Sequence, residues 1–390
     1  MRQRAMWSGL AAAAAAVVAT TVWVGPAQAQ EGQILEAGTP GSVADSYLVV
    51  LKQNATSLVG DLTGRYGGAA TRTFGTALKG FAVTANEKQA RRLAANPDVA
   101  YVVQNHLLHV ADVQENPPSW GLDRIDQPDL PLDRSYTFST DANNVTAYVI
   151  DTGVRASHET FGGRVSGGRD FIDNDDDPTD ENGHGTHVAG TIGGREYGVA
   201  KGVKIVPVRV LDAQGSGTTE QVVAGIDWVA QNASGPSVAN MSLGGPVDTV
   251  LDDAVRGAIA RGVTFAVAAG NEGADASDDS PARVPEAITV AATDRSDRQA
   301  SFSNYGSVVD LYAPGVRITS SWGTGDTATN TISGTSMATP HVTGAAALYL
   351  AGHPDATPAQ VADALVAAAT QDEVRSATTG TPNRLLRTTG

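Results

Sequence analysis

Val145-Thr146-Ala147-Tyr148-Val149-Ile150-Asp151-Thr152-Gly153 is an apolar, β-branched run that ends on a carboxylate and a turn. A run this short, with no polar alternation, reads as a strand buried on both faces, and such strands belong to parallel sheets covered by helices. Its end matters as much as its middle, because ligand sites of open α/β sheets lie outside the C-terminal ends of the strands. Asp151 stands at that edge. A lone D-T-G is also a turn or helix-cap signal, so the stretch decides the fold class and leaves its chemistry open.

Downstream, β-rich apolar runs alternate with helical ones. Strands are predicted over 145–150, 205–210, 238–241, 263–268 and 287–291, and helices over 219–232, 250–260, 336–351 and 358–369. In the first of these helices Val222, Val223, Ile226, Val229 and Ala230 share one face, and Thr218 with Gln221 fits a capping box. Pro207 falls inside a predicted strand and counts against it, or marks an edge or a bulge. The fold class expected is α/β, with a mainly parallel central sheet flanked by helices.

Upstream, Tyr47-Leu48-Val49-Val50-Leu51 and Val99-Ala100-Tyr101-Val102-Val103 read as strands on either side of a helical stretch at 86–95, a small α+β unit. Glu115-Asn116-Pro117-Pro118 reads as a linker or boundary. The first 29 residues carry Arg2 and Arg4, an apolar run to about Val24, and Ala27-Gln28-Ala29. That is the layout of an export signal cleaved before Gln30. A membrane anchor is the weaker reading, because the run is short and nothing comparable follows.

Charge divides along the same line. Residues 1–112 hold nine Lys/Arg and seven Asp/Glu, whereas residues 113–390 hold 18 and 35. An acidic body disfavours nucleic-acid binding, which needs a basic face, and suits bound cations or plain solubility. The chain has no cysteine. A thiol nucleophile is therefore excluded, and an exported fold without disulfides must be held by core packing or bound metal.

Two further motifs bear chemistry. Asn182-Gly183-His184-Gly185-Thr186-His187-Val188-Ala189-Gly190 sets two histidines three apart at the start of a small-residue helix. His184 suits a general base, since imidazole titrates near neutrality. A zinc pair is the competing chemistry, but H-E-x-x-H is absent. Gly334-Thr335-Ser336-Met337-Ala338-Thr339-Pro340-His341 is the most specific of the three. A serine at a helix start, shortly after a glycine, presents its hydroxyl while its own N–H points toward a developing anion. Pro340 breaks a local rule inside the predicted helix, as functional sites do.

With these motifs the chain resembles the subtilases, in the branch of proteinase K and aqualysin. The likeness runs from about Trp120 to the C-terminus, in the order Asp, His, Ser, and includes Trp120-Gly121-Leu122-Asp123-Arg124-Ile125-Asp126, Asn240-Met241-Ser242-Leu243-Gly244-Gly245 and Ala268-Ala269-Gly270-Asn271. It implies a subtilisin-like fold preceded by a small α+β propeptide domain. The order would be a signal peptide at 1–29, an inhibitory and chaperoning propeptide at 30–112 and a catalytic domain at 113–390. It also implies a secreted, extracellular serine endopeptidase of broad specificity that hydrolyses polypeptides through an acyl-enzyme. In it Ser336 is the nucleophile, His184 the base and then acid, Asp151 the group that orients the imidazole, and Asn271 a donor to the oxyanion beside the Ser336 N–H. His187 and His341 then take structural or supporting roles.

The same resemblance implies that Gly215, Ser216 and Gly217 form one edge of the substrate cleft and Ser242, Leu243 and Gly244 the other. Gly244, Gly245, Ala268, Ala269 and Gly270 would line the pocket for the residue before the scissile bond. That set holds no carboxylate, so apolar or aromatic side chains are expected there over Lys or Arg. The propeptide would act as an intramolecular inhibitor, its last strand near Leu108-His109-Val110 lying in the cleft like a product, and be removed autocatalytically. Structural calcium is implied at Pro285, Ala287 and Asp310, and again at Asp123, Asp126, Gln127, Asp133 and Ser135, with no catalytic metal. Asp173-Asn174-Asp175-Asp176-Asp177, with Asp170, is a third candidate for calcium but reads better as an acidic loop. A monomer without a membrane anchor or nucleic-acid partner is expected. An aspartic protease would need a second D-T-G, which is absent. A dead protease kept for binding would not be expected to retain every one of these groups.

Overall fold

The computed structural model describes residues 31–38, 42–106 and 112–388. The chain divides between Leu107 and Leu108 into two units. The predicted signal peptide and the Leu108-His109-Val110 strand end lie outside the described residues.

The first unit comprises β1 (Ile34–Leu35), β2 (Ser42–Leu51), α1 (Val59–Tyr66), β3 (Ala69–Phe74), β4 (Gly80–Thr84), α2 (Glu87–Ala94) and β5 (Val99–His106). Its sheet has the order β1-β5-β2-β4-β3, and its core is built on Val49, Phe81, Val83, Leu93 and Val102. The predicted strands lie within β2 and β5, and the predicted helix is α2, closed at its start by a capping box between Asn86 and Gln89. β3 went unread because its sequence, AATRTF, is exposed along an edge and carries no apolar pattern.

The second unit runs through β6 (Asp112–Glu115), α3 (Trp120–Ile125), β7 (Ser135–Phe138), β8 (Thr146–Asp151), β9 (Arg169–Asp170), α4 (His184–Gly193), β10 (Lys204–Arg209), α5 (Thr219–Asn232), β11 (Ser237–Met241), β12 (Gly245–Pro246) and α6 (Thr249–Ile259). It continues with β13 (Thr264–Ala268), β14 (Asp279–Ser280), β15 (Ile288–Thr293), β16 (Leu311–Pro314), β17 (Ile318–Ser321), β18 (Thr329–Ile332), α7 (Thr335–Gly352), α8 (Pro358–Ala368), β19 (Thr370–Gln371) and β20 (Arg384–Leu385). Its main sheet has the order β19-β20-β16-β15-β13-β11-β8-β10-β9 and is parallel except at the β19–β20 pair. Along β8, Ala147 and Val149 join the core that includes α4, α7 and α8, while Tyr148 and Ile150 join the core under α5 and α6. Both faces of the strand are thus covered, which is why it shows no polar alternation.

Pro207 is accommodated in β10 by position. Ile205 N donates outward to Arg164 O at 3.0 Å, and residues two apart face the same side. The missing N–H of Pro207 therefore falls on the outer flank of β10, between an isolated bridge at Val165 and the two-residue β9. One sequence expectation is corrected: Glu115-Asn116-Pro117-Pro118 is not a linker. Glu115 closes β6, which pairs with β7 inside the second unit. Because β8, β11 and β13 are parallel and adjacent, their C-terminal ends deliver Asp151, Ser242 and Asn271 to one edge of the sheet.

Candidate active site

Asp151 is the last residue of β8 and is fully buried. Its Oδ1 accepts from Thr152 N and lies 2.7 Å from His184 Nδ1. His184 opens α4, and the start of that helix is pinned by the buried Asp180. Asp180 accepts from Asn182 N (3.0 Å), Gly183 N (2.8 Å), Thr186 N (2.9 Å) and the hydroxyls of Thr152 and Thr186. It thereby satisfies orphan donors of the helix start and ties the β8 terminus to it. Gly185 is required by space: a methyl group there would lie 2.1 Å from Gly153 O. Burial works to lower the His184 pKa, but the charge and hydrogen bond of Asp151, with Asp180 behind, outweigh it and hold the imidazole above its ordinary value. A quarter of the side chain remains exposed to receive a reactant.

Ser336 is the second residue of α7. Pro340 explains its setting. Proline has no N–H, so the carbonyl four residues back, that of Ser336, loses its helical partner and instead accepts from Ser242 Oγ at 2.9 Å. Ser242 Oγ in turn accepts from Asn240 Nδ2 at 2.8 Å, and Asn240 Oδ1 accepts from Thr343 Oγ1 at 2.9 Å, a buried chain that locks α7 to β11. Ser336 Oγ donates to Ser242 O at 3.1 Å, and no hydrogen bond joins it to His184. Thr335 N bonds Asn271 Oδ1 and Met337 N bonds Gly334 O, while the Ser336 N–H has no acceptor among the described residues. Asn271 Oδ1 is held by Thr335 N (2.8 Å) and Thr335 Oγ1 (3.0 Å), which leaves the amide NH2 as an uncommitted donor.

His187 and His341 stand apart from this chemistry. Burial pushes each down to about 4, and their rings bond the Ile318 and Met337 carbonyls. His184 Nδ1 faces Asp151 while His187 Nε2 faces the Ile318 carbonyl, so the two rings are held by different partners.

Residues 142–390 match the Subtilase family and residues 37–111 match Peptidase inhibitor I9. This chain belongs to the subtilase family. It is 50% identical over 385 residues to an extracellular serine proteinase of Thermus sp. (strain Rt41A), covering 93% of this chain and 94% of that one. It is 48% identical over 363 residues to alkaline serine exoprotease A of Vibrio alginolyticus, covering 88% of this chain and 67% of that one. The crystal structure of a cold adapted subtilisin-like serine proteinase is similar at a TM-score of 0.68 and 61% identity, covering 70% of this chain and 98% of that one. The subtilase is a secreted serine endopeptidase with an I9 inhibitor segment. Among the described residues no helix is long and apolar enough to cross a membrane.

Beside His184 runs a groove of about 800 Å³ lined by both predicted edges, Gly215, Ser216 and Gly217 facing Ser242, Leu243 and Gly244. A smaller pocket of about 90 Å³ lies at Ser336 and Asn271. Gly244, Gly245, Ala268, Ala269 and Gly270 line it, but so do Glu272 and Asp279. The expectation of a pocket without carboxylates is therefore corrected. Asp279 was not legible, because it arrives on β14, which pairs with β12 from far along the chain, whereas Glu272 directly follows Asn271 and was passed over. Thr152, Asp180 and Thr335 were missed likewise, since no local spacing marks a residue that supports another.

The expected calcium donors fall in two places. Asp310 accepts from Thr289 N at 2.8 Å, and burial pushes its carboxyl up to about 6. Burial likewise raises Asp126 to about 6; its Oδ2 accepts from Thr137 N, while its buried Oδ1 has no partner. Asp123 is spent on the backbone N–H groups of Asp133 and Arg134, and Gln127 Oε1 accepts from Asp133 N. Asp133 Oδ1 accepts from Ser135 N and Oγ. Asp123, Gln127 and Asp133 thus lie close together and Asp133 bears on the charge of Asp126, but among the described residues no group of three His, Asp or Glu side chains is placed to hold a metal.

Proposed function

We propose that Ser336, His184 and Asp151 hydrolyse peptide bonds of polypeptides bound as an extended strand in the groove, with Asn271 and the Ser336 N–H as the oxyanion donors. Ser336 Oγ leaves Ser242 O and turns toward His184 when substrate arrives, since such bonds tighten only in the complex. Oγ attacks the scissile carbonyl carbon while its proton passes to His184 Nε2, and the C–O bond forms as the carbonyl becomes an oxyanion. Asp151 stabilises the imidazolium. His184 then gives the proton to the leaving nitrogen as the C–N bond breaks, and water repeats the sequence on the acyl-enzyme. The observation that carries this reading is the pair of uncommitted donors, Asn271 Nδ2 and Ser336 N, beside a serine hydroxyl and a carboxylate-oriented imidazole. The pocket walls of glycine and alanine suit apolar and aromatic side chains before the scissile bond.

The reading extends to maturation. The chain is exported by residues 1–29, inhibited by residues 30–112 and activated by its own cleavage near Ala111 to Val113, leaving a monomeric catalytic domain without a membrane anchor. Calcium, when bound, supplies cross-linking of loops and no chemistry. Asp310 with the Pro285 and Ala287 carbonyls suits it, as does Asp126 with its unpartnered buried oxygen. The test is Ser336→Ala expressed in a host lacking other proteases. It should be exported as an uncleaved precursor that neither hydrolyses a chromogenic peptide nor reacts with a serine-directed phosphonate. Normal maturation of this variant would refute self-processing, and retained hydrolysis would refute the nucleophile.

A further inference from the structure

The pocket beside Ser336 joins apolar walls to an acidic end. Antiparallel pairing sets Pro246 opposite Asp279 and Gly245 opposite Ser280, so the β12–β14 ribbon closes one side. Asn304, fully buried, divides its NH2 between Asp279 Oδ2 (2.8 Å) and Glu272 Oε2 (3.0 Å), and its Oδ1 accepts from Glu272 N and Ala274 N. Its hydrogen-bonding capacity is thereby spent. Asp279 Oδ1 and Glu272 Oε1 have no hydrogen-bond partner, and neither carboxylate takes part in an ion pair among the described residues. Burial first, and then the charges of Glu272 and Asp278, raise the Asp279 pKa, as for an acid in a site short of positive charge. Glu272 Oε2 also accepts from Asn271 N at 2.7 Å, so it is tied to the oxyanion donor, whereas Asp279 is not.

We propose that Asp279, with Glu272 beside it, reads the charge of the side chain before the scissile bond, so that this proteinase cleaves after Lys and Arg as well as after apolar residues. The proposal rests on the Ser336-centred reading above. The methylene stem of Lys or Arg packs on Ala268, Ala269 and Ala282, and its cationic tip donates to the free Asp279 oxygen and supplies the charge the pocket lacks.

The experiment uses the mature enzyme and peptide p-nitroanilides that differ only in that residue: Lys, Arg, norleucine or Phe. Norleucine has the lysine stem without the charge, so the Lys-to-norleucine ratio of kcat/KM isolates the tip. Asp279→Asn should lower this ratio about tenfold, the scale of one charge pair at a partly screened site. In the wild type the same ratio should fall as salt rises from roughly 0.05 M to 1 M, as screening requires; this measurement stands even if the variant does not fold. A ratio unchanged within about twofold in Asp279→Asn overturns the proposal. So does a wild type that cleaves after norleucine but more than about a hundredfold more slowly after Lys, or a ratio that responds to Glu272→Gln alone. In each of those cases hydrolysis after norleucine and Phe leaves the serine-protease reading standing. Loss of hydrolysis for all four peptides in the wild type would instead bring down both.

Discussion

Asn271 and Thr335 make a graded test of the oxyanion site. The Asn271 amide oxygen is fixed by Thr335 N at 2.8 Å and Thr335 Oγ1 at 3.0 Å, and that grip aims the NH2 group. Asn271→Ala removes the donor altogether. Loss of one preorganised donor of this kind costs about 3 kcal/mol, so kcat should fall roughly 10²- to 10³-fold. Thr335→Val removes only the hydroxyl bond and keeps the backbone one. A neutral hydrogen bond is worth about 1 kcal/mol, which corresponds to roughly fivefold in kcat, and Thr335→Ser should restore it. In both variants KM should move little, because the charge that the amide meets exists only in the transition state. The assay is kcat and KM on a chromogenic peptide, with active enzyme counted by phosphonate titration so that poor maturation is not read as slow chemistry. Losses confined to KM would refute the assignment of Asn271. A Thr335→Val loss equal to that of Asn271→Ala, not restored by Thr335→Ser, would refute the positioning argument.

Three further outcomes are expected. Arg124 and Asp297 form a fully buried ion pair at 2.7 Å, and Arg124 also donates to Gln127 O and Pro128 O; Arg124→Met strands the acid, costs about 3–5 kcal/mol and should shorten the half-life on heating by about 100-fold or more, a change within threefold being contrary. Since Asp151 and Asp180 outweigh burial at His184, and the base works only when neutral, kcat/KM should be lost as pH falls through a value above 6.5; Asp151→Asn should move that limb down, and a wild-type limb at or below 6.5 contradicts this balance of charge over burial. Calcium at a hundredfold over its Kd should add about 2.7 kcal/mol, so chelator should hasten thermal inactivation while leaving initial rates in the cold intact; Asp310→Asn and Asp126→Asn should weaken the protection, and identical inactivation with calcium and with chelator would refute it.

What sequence alone could determine was local. The helix predicted at 219–232 is α5, its start fixed because Thr218 and Gln221 cap it from within one turn, and the strand ending on Asp151 was legible from its apolar run. Asp151, His184 and Ser336 stood out because each sits in a short motif, but their roles came from the order and spacing of those motifs shared with the subtilases, not from any one motif alone. Strands such as β9, β19 and β20 could not be read, since two residues show no period. Tertiary structure decided everything that depends on pairing at a distance. Parallel register put the ends of β8, β11 and β13 at one edge, and Asp180 locked the start of α4 to Thr152, next to Asp151. Pro340 looked like a broken rule along the chain; only Ser242, brought to the Ser336 carbonyl from the residue after β11, shows where the freed carbonyl goes. Asp279 entered the pocket in the same way, through the β12–β14 ribbon, and the buried amide of Asn304 joins it to Glu272, the chain neighbour of Asn271. Helix caps and apolar runs act between near neighbours and leave a trace in spacing, whereas ribbons, cross-strand partners and pocket linings are chosen by packing and leave none.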